Sequence, residues 1–184
     1  MGKTYEAISS DLAAWIREQH VFFVATAPLA AAGHVNLSPK GLDCLRITGP
    51  KQIAYLDLTG SGAETIAHVR ENGRIVLMFC AFTGPPKIVR LHGRGRVVTK
   101  SSAEWATWSE RFAAMAAPRS IVVLDVTRIS DSCGYGVPSM HFVEDRDVLQ
   151  RWAQTKGPEV LPAYRRENNA TSIDGLPALD KRDA

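Results

Sequence analysis

The sequence predicts an α+β fold that is mainly β, with an antiparallel sheet closed as a barrel and a few helices around it. Three observations support this prediction. Short β-branched and aromatic segments outnumber helical ones by about two to one, and most follow one another directly, which disfavours alternating parallel units. The chain has 184 residues, about the length of one domain.

Seven segments have the composition of strands and are bounded by turn residues. The first, Val21–Thr26, stops before Pro28. Gly49-Pro50 and Gly84-Pro85-Pro86 separate later ones. The remaining predicted strands are His34–Lys40, Leu42–Thr48, Gln52–Leu58, Arg74–Phe82, Lys87–Thr99 and Ser120–Arg128.

Four helices are predicted from apolar residues at helical spacing. The first spans residues 10–19 behind a serine cap, and the second spans 63–71 and stops at Asn72-Gly73. The third follows a capping box at Ser101–Glu104 and reaches about Met115. The fourth spans 145–156 and ends at Gly157-Pro158. Residues 151–184 are expected to form the end of this helix and an extended tail that lies over the barrel or a neighbouring chain.

Composition excludes several classes of protein. The formal net charge of +3 is too small for a protein whose main partner is nucleic acid. Cys44, Cys80 and Cys133 are too far apart for a zinc ribbon and odd in number, which favours a reducing cytoplasm. No segment has the roughly 18 apolar residues of a membrane span. The histidine spacing indicates no metal site.

The most informative segment is the glycine-rich turn from Leu58 to Thr65. Backbone N–H groups at the start of the following helix, with the hydroxyls of Thr59, Ser61 and Thr65, could bind a phosphate beside Gly60. The alternative is structural, because Ser61-Gly62-Ala63-Glu64 is also a capping box that would satisfy the same donors.

Three further segments could contribute to a binding site. Ser38-Pro39-Lys40-Gly41 places a lysine beside glycine, where it could contact a phosphate or simply be an exposed turn lysine. Arg90 begins a row with His92, Arg94 and Arg96 on one strand face, which is more typical of a solvated face or a dimer interface than of an anion site. Tyr135, in the loop 132–138, could lie against a flat ligand or only mark a bend.

Taken in order, these segments resemble the FMN-binding split barrel of the pyridoxamine 5'-phosphate oxidase-like family. The resemblance covers roughly residues 10–128 and depends on the order and spacing of several segments. These are Phe22–Thr26, His34–Gly41, Tyr55–Glu64, Asn72–Phe79 and Ile88–Val97.

The resemblance implies a six-stranded antiparallel split barrel over residues 1–150, which forms a homodimer and binds FMN at the subunit interface. Asp43, Cys44, Leu45 and Arg46 would lie along the flavin ring, and Thr59, Gly60 and Ser61 would hold the phosphate. The chain departs from the vitamin B6 oxidases at Glu64-Thr65, where they have an Arg-Lys pair. Lys40, Arg70 or a partner arginine would then have to neutralise the phosphate.

The resulting hypothesis is an FMN-dependent oxidoreductase acting on an unidentified small organic substrate, with no side chain singled out for proton transfer. The tail has no match to the basic substrate-binding segment of the oxidases, so vitamin B6 chemistry is not inferred. Cys133–Pro138 and Asn169–Pro177 look like features of a bacterial subgroup. The alternatives are a non-catalytic flavin- or haem-binding module and a deazaflavin-dependent reductase.

Overall fold

Eight strands form one antiparallel sheet in the computed structural model, which describes residues 2–183. The hydrogen-bonded order is β3-β2-β6-β7-β8-β5-β4, and β1 pairs with β8. The strands are β1 (Thr4–Tyr5), β2 (Phe22–Thr26), β3 (Asn36–Lys40), β4 (Leu45–Gly49), β5 (Gln52–Leu58), β6 (Arg74–Cys80), β7 (Ile88–Thr99) and β8 (Pro118–Ser132).

The predicted class, mainly antiparallel sheet with a few helices, is confirmed, but the number of strands within residues 2–183 is eight and not six. One added strand, β1, has only two residues and is too short for a period of two to be detectable. Thr4 lies opposite Ser130, beyond the point where the sequence placed the end of the last strand. β8 therefore pairs with three strands along its fifteen residues.

The first helix and the end of the second agree with their sequence signals. Helix α1 (Ser10–Arg17) is capped by the Ser9 hydroxyl, which accepts the N–H of Leu12 at 3.2 Å. Helix α2 (Glu64–Asn72) ends at Gly73, whose φ of 70° is the left-handed conformation that glycine adopts without a steric penalty.

The other two helices differ from prediction. Helix α3 is only Trp105–Ser109, and its N-cap position is Glu104, which makes no side-chain cap hydrogen bond, in place of the predicted Ser101. Helix α4 (Val148–Asn168) continues past its predicted end. Gly157, with a φ of 73°, interrupts it, and Pro158 starts a second helical section because proline fits the first turn of a helix.

The sheet curves so that the two ends of its strand order meet. β3 lies at one end and β5 near the other, yet Lys40 Nζ of β3 lies 2.9 Å from Asp57 Oδ1 of β5. The interior is filled by alternate residues such as Val24, Leu77 and Leu91, each fully buried. An ion pair therefore stands where the barrel closes.

The C-terminal segment, residues 165–183, packs along α2. Ala178 and Leu179 are buried against Ala63, Ile66 and Ala67. Arg70 donates to the carbonyl of Ala178 and pairs with Asp180 and Asp183. None of the helices within residues 2–183 combines the length and apolar character needed to cross a membrane.

Candidate functional site

A polar cleft of about 280 Å³ lies where β3, β5, β8 and the start of α2 meet. It brings together five of the residues singled out in the sequence: Ser38, Lys40, Gly60, Ser61 and Thr65. It adds Asn36, Asp57, Leu58, Gly62, Glu64 and Arg119. These eleven residues are called the polar cleft below.

Asp57 is the centre of the charge arrangement in the polar cleft. Its Oδ1 lies 2.9 Å from Lys40 Nζ, and its Oδ2 accepts hydrogen bonds from Arg119 Nε at 2.9 Å and from the Ser120 hydroxyl at 3.2 Å. Arg119 Nη2 lies 2.8 Å from the same oxygen. One carboxylate thus holds two cations in place.

This buried carboxylate is ionised. Burial by itself would raise the pKa of Asp57, but the neighbouring cations Arg119 and Lys40 lower it to about 2. Arg119 also donates from Nη1 to the carbonyl of Gly62 at 2.8 Å. The guanidinium therefore connects β8 to the glycine-rich turn, and its positive charge can attract an anionic ligand at that turn.

The start of α2 does not form the predicted capping box. Its N-cap position is Ala63, which has no side-chain cap, and Glu64 instead accepts the N–H of Ile173 at 3.4 Å. A Cβ built on Gly60 would meet nothing within 4 Å among the described residues. The first N–H groups of α2, which have no intrahelical partner, therefore remain available beside open space.

The Thr59 hydroxyl holds the glycine-rich turn in place through two hydrogen bonds. Its hydroxyl donates to the carbonyl of Ala117 at 3.0 Å and accepts from Arg165 Nε at 2.9 Å. The hydroxyl hydrogen of Thr59 is therefore already used, and this side chain has no free donor for the predicted contact with a phosphate. Arg165 is buried and has no carboxylate partner within residues 2–183; burial, followed by the charge of Arg119, lowers its pKa.

Asn36 organises the hydroxyl groups on the β3 side of the polar cleft. Its Nδ2 donates to Thr26 at 3.1 Å and to Thr65 at 2.9 Å, and its Oδ1 accepts the Ser38 hydroxyl at 2.9 Å. The Thr65 oxygen accepts a hydrogen bond from Asn36, so its own hydrogen is free to donate. Thr26 also contacts Nδ1 of His68 at 3.0 Å, and burial lowers the pKa of that histidine.

The Tyr55 hydroxyl is one of three buried side-chain polar atoms without a hydrogen-bond partner within residues 2–183, the others being His68 Nε2 and Asn169 Oδ1. It has no hydrogen-bond partner in the described part of the chain, although Lys40 Nζ lies 5.7 Å from its ring centre. Burial, and after it the charge of Asp57, raises its pKa well above the ordinary value. Buried groups without partners are uncommon and indicate a site that a ligand or water completes.

A larger cavity of about 530 Å³ shares Lys40 with the polar cleft. The ring of Phe142 stacks on that of His20 with centres 3.6 Å apart and planes 5° from parallel. Gly41 also lines it, with apolar side chains that include Pro39, Phe82 and Met140. The larger cavity could therefore accept a flat organic group next to the polar cleft.

The segment predicted to lie along the flavin ring is separate from the polar cleft. Asp43 forms an ion pair with Arg46 at 2.6 Å, and both line another cavity with Leu45. Cys44 is buried, its thiol donates to the carbonyl of Gly41, and burial raises its pKa to about 11. At neutral pH the thiol is therefore not a thiolate nucleophile.

Arg90 and Tyr135 are not among the residues that line the polar cleft or the larger cavity. Arg90 donates to the Ser132 hydroxyl at 3.0 Å, and Tyr135 is 82% exposed. Of the other basic residues of β7, Arg94 donates to the carbonyl of Asn72 at 2.6 Å and Arg96 pairs with Glu104 at 3.0 Å. Each of the three arginines of this row therefore binds a partner close to β7.

Sequence reasoning missed Asp57, Arg119 and Arg165. Asp57 does carry a signal, since it is a charge inside an otherwise apolar strand and such charges are buried only when paired, but Arg119 lies between Pro118 and Ser120 at the start of its strand and has no such surroundings. Arg165 has no comparable signal, because its surroundings in the sequence are polar. Arg70, a predicted phosphate partner, instead binds the C-terminal segment.

Comparison with known proteins gives a consistent family assignment. Residues 8–133 match the family model described as pyridoxamine 5'-phosphate oxidase. The pyridoxamine 5'-phosphate oxidase family protein ustO from Aspergillus flavus is 37% identical over 192 aligned positions, which cover 95% of this chain and 77% of ustO.

Solved structures with the same fold include a histidine-to-alanine variant of HupZ from Group A Streptococcus. It has a TM-score of 0.55 at 24% identity and covers 68% of this chain and 99% of HupZ. A Lactobacillus delbrueckii protein described as a candidate pyridoxamine 5'-phosphate oxidase has a TM-score of 0.50 at 15% identity, over 69% of this chain and 98% of that one. At these identities the structural likeness concerns the fold.

Proposed function

Because this chain belongs to the pyridoxamine 5'-phosphate oxidase family, we propose that it is an FMN-dependent oxidoreductase acting on a small organic substrate. The observation that carries the proposal is the donor set of the polar cleft. Lys40 and Arg119 are fixed by one buried carboxylate beside the uncapped start of α2. Cations and free N–H groups together are what a phosphate group requires.

The residues of the polar cleft fit a phosphate with one exception, since the carboxylate of Asp57 is already paired with Lys40 and Arg119. Lys40, Arg119, the Thr65 hydroxyl and the N–H groups at Gly60 and beyond can all act as donors. The exception is Glu64, whose carboxylate lines the same cleft and repels an anion.

The remainder of FMN would extend from the polar cleft toward the larger cavity. The polar cleft, at about 280 Å³, is smaller than the usual range for organic cofactors, roughly 300–1,000 Å³. Lys40 lines both spaces, so one ligand could contact it while placing its ring against the stacked pair of His20 and Phe142. When bound there, FMN would supply hydride-transfer chemistry, and the protein would supply orientation and exclusion of water.

A second copy of the chain is part of the proposal. Leu37 is 63% exposed on β3, the strand at one end of the sheet order, and Val35, which directly precedes β3, is 74% exposed. The segment after β8 exposes Met140, Phe142 and Val143, the last at 86%. Exposed apolar groups of this kind are typical of surfaces that another molecule covers. We expect a homodimer that buries these residues and encloses the larger cavity.

The experiment that tests the function starts with the absorption spectrum of the purified protein and the mass of any extracted ligand. The protein is then titrated with FMN and with riboflavin, which lacks the phosphate, while flavin fluorescence is followed. We expect FMN to bind at least about tenfold more tightly, since charge-assisted hydrogen bonds to phosphate are worth more than 1 kcal/mol.

Reduction of bound FMN by a nicotinamide or an organic donor, followed under single turnover, separates an enzyme from a carrier. Light scattering on the same samples gives the number of subunits. A colourless protein that binds neither flavin would overturn the proposal. A protein that binds FMN but is reduced only by dithionite would identify a binding module instead.

A further inference from the structure

Glu64 occupies the position in the polar cleft where an anionic ligand would approach α2. One carboxylate oxygen lies 2.3 Å from where a Cβ on Gly62 would stand, so the side chain folds back over the turn. The other oxygen accepts the N–H of Ile173 at 3.4 Å. The first residue of α2 therefore places its own negative charge at the uncapped start of the helix.

The charges around Glu64 nearly cancel. Within the polar cleft, the cations Lys40 and Arg119 face the carboxylates Asp57 and Glu64. Arg165, which donates a hydrogen bond to Thr59, adds one positive charge.

Two further groups near Glu64 add no positive charge to this balance. From the C-terminal segment, Asp174 is paired with His34 at 2.6 Å. On α2, the buried His68 has a lowered pKa and is neutral at physiological pH. The cations Lys40, Arg119 and Arg165 thus exceed the carboxylates Asp57 and Glu64 by one positive charge.

Phosphate groups differ in the charge that they bring to such a site. A phosphomonoester carries between about 1.5 and 2 negative charges at neutral pH. A phosphodiester has a single ionisable oxygen and carries one. A surplus of one positive charge therefore neutralises a singly charged phosphate, and a doubly charged phosphate leaves repulsion against Glu64.

We propose that Glu64 is a specificity-determining residue that makes the polar cleft favour a singly charged phosphate group over a doubly charged one. The proposal rests on the proposed function, since it assumes that the phosphate of a flavin binds in the polar cleft.

The test compares Glu64→Gln with the unmodified protein, using FMN as the monoester and riboflavin cyclic phosphate as the diester. The measured quantity is the ratio of the two dissociation constants at neutral pH within each protein, so a general change in folding cancels. We expect Glu64→Gln to strengthen FMN binding about tenfold relative to the binding of riboflavin cyclic phosphate. This is the effect of removing one like charge at close range in a partly solvated site. Riboflavin affinity should not change.

Glu110→Gln is the matched control, because it removes the same charge from an exposed position outside the polar cleft. It should leave the ratio unchanged. Glu64→Lys is a second variant, in which the affinity for FMN should rise further relative to the affinity for riboflavin cyclic phosphate.

A ratio that is equal in Glu64→Gln, Glu110→Gln and the unmodified protein, with FMN still bound more tightly than riboflavin, would refute the role of Glu64 and leave the proposed function standing. If FMN and riboflavin bind equally weakly to the unmodified protein, both proposals are wrong.

Discussion

Two groups of cations on this barrel differ chiefly in burial. The basic row of β7 has more positive charges, but its three arginines are partly exposed and each has a separate local partner. Lys40 and Arg119 are only two charges, but they share Asp57, which is 1% exposed. Charges in low dielectric interact several times more strongly than charges in water. The comparison teaches that burial, and not the number of basic residues, identifies the candidate site.

The largest expected effect is on stability when the buried anion is removed. Asp57→Asn keeps the shape of the side chain but leaves Lys40 and Arg119 without a counter-charge. We expect the free energy of unfolding to fall by about 3–5 kcal/mol, the usual cost of breaking one side of a buried ion pair. Urea denaturation followed by circular dichroism measures it.

Glu104→Gln is the control for that measurement, since it breaks the exposed pair with Arg96. It should cost less than about 1 kcal/mol. If Asp57→Asn and Glu104→Gln lower the free energy of unfolding equally, burial does not distinguish the ion pairs of the polar cleft from those of the basic row.

The next effect is a dependence of stability on pH. The pKa of Asp57 is lower in the folded protein than in the unfolded chain, so the folded state binds fewer protons and this stabilisation is present above about pH 4. It amounts to about 2 kcal/mol and is lost as the pH falls toward 2. Unfolding free energies near neutral pH and at about pH 3 should therefore differ more in the unmodified protein than in Asp57→Asn. Parallel pH profiles would contradict the assignment.

The third effect is on cofactor affinity. Lys40→Ala and Ser61→Ala should each weaken FMN binding by roughly 1–3 kcal/mol, the range for losing a charge-assisted hydrogen bond. Arg94→Gln, on the basic row, should leave FMN affinity unchanged. Fluorescence titration measures all three. If Lys40→Ala and Ser61→Ala retain full affinity and lose only stability, these residues are structural.

Much of the fold follows from local signals in the sequence. Ser9 caps α1 and Gly73 ends α2 because their chemistry acts within one helical turn. Central strands such as Phe22–Thr26 appear in the sequence because alternate side chains face the core. The continuation of α4 beyond Gly157 was not predictable in this way, since its last turns are held by contacts with a distant turn.

The sequence by itself determined the fold class, the family resemblance and five members of the polar cleft, because these depend on patterns within short stretches of chain. Only the tertiary structure decided which charges are buried together. Asp57, Arg119 and Arg165 come from positions up to 108 residues apart. Their meeting depends on the curvature that closes the sheet and on the C-terminal segment that packs beside α2. Burial is a property of that arrangement, and burial sets the strength of these charges.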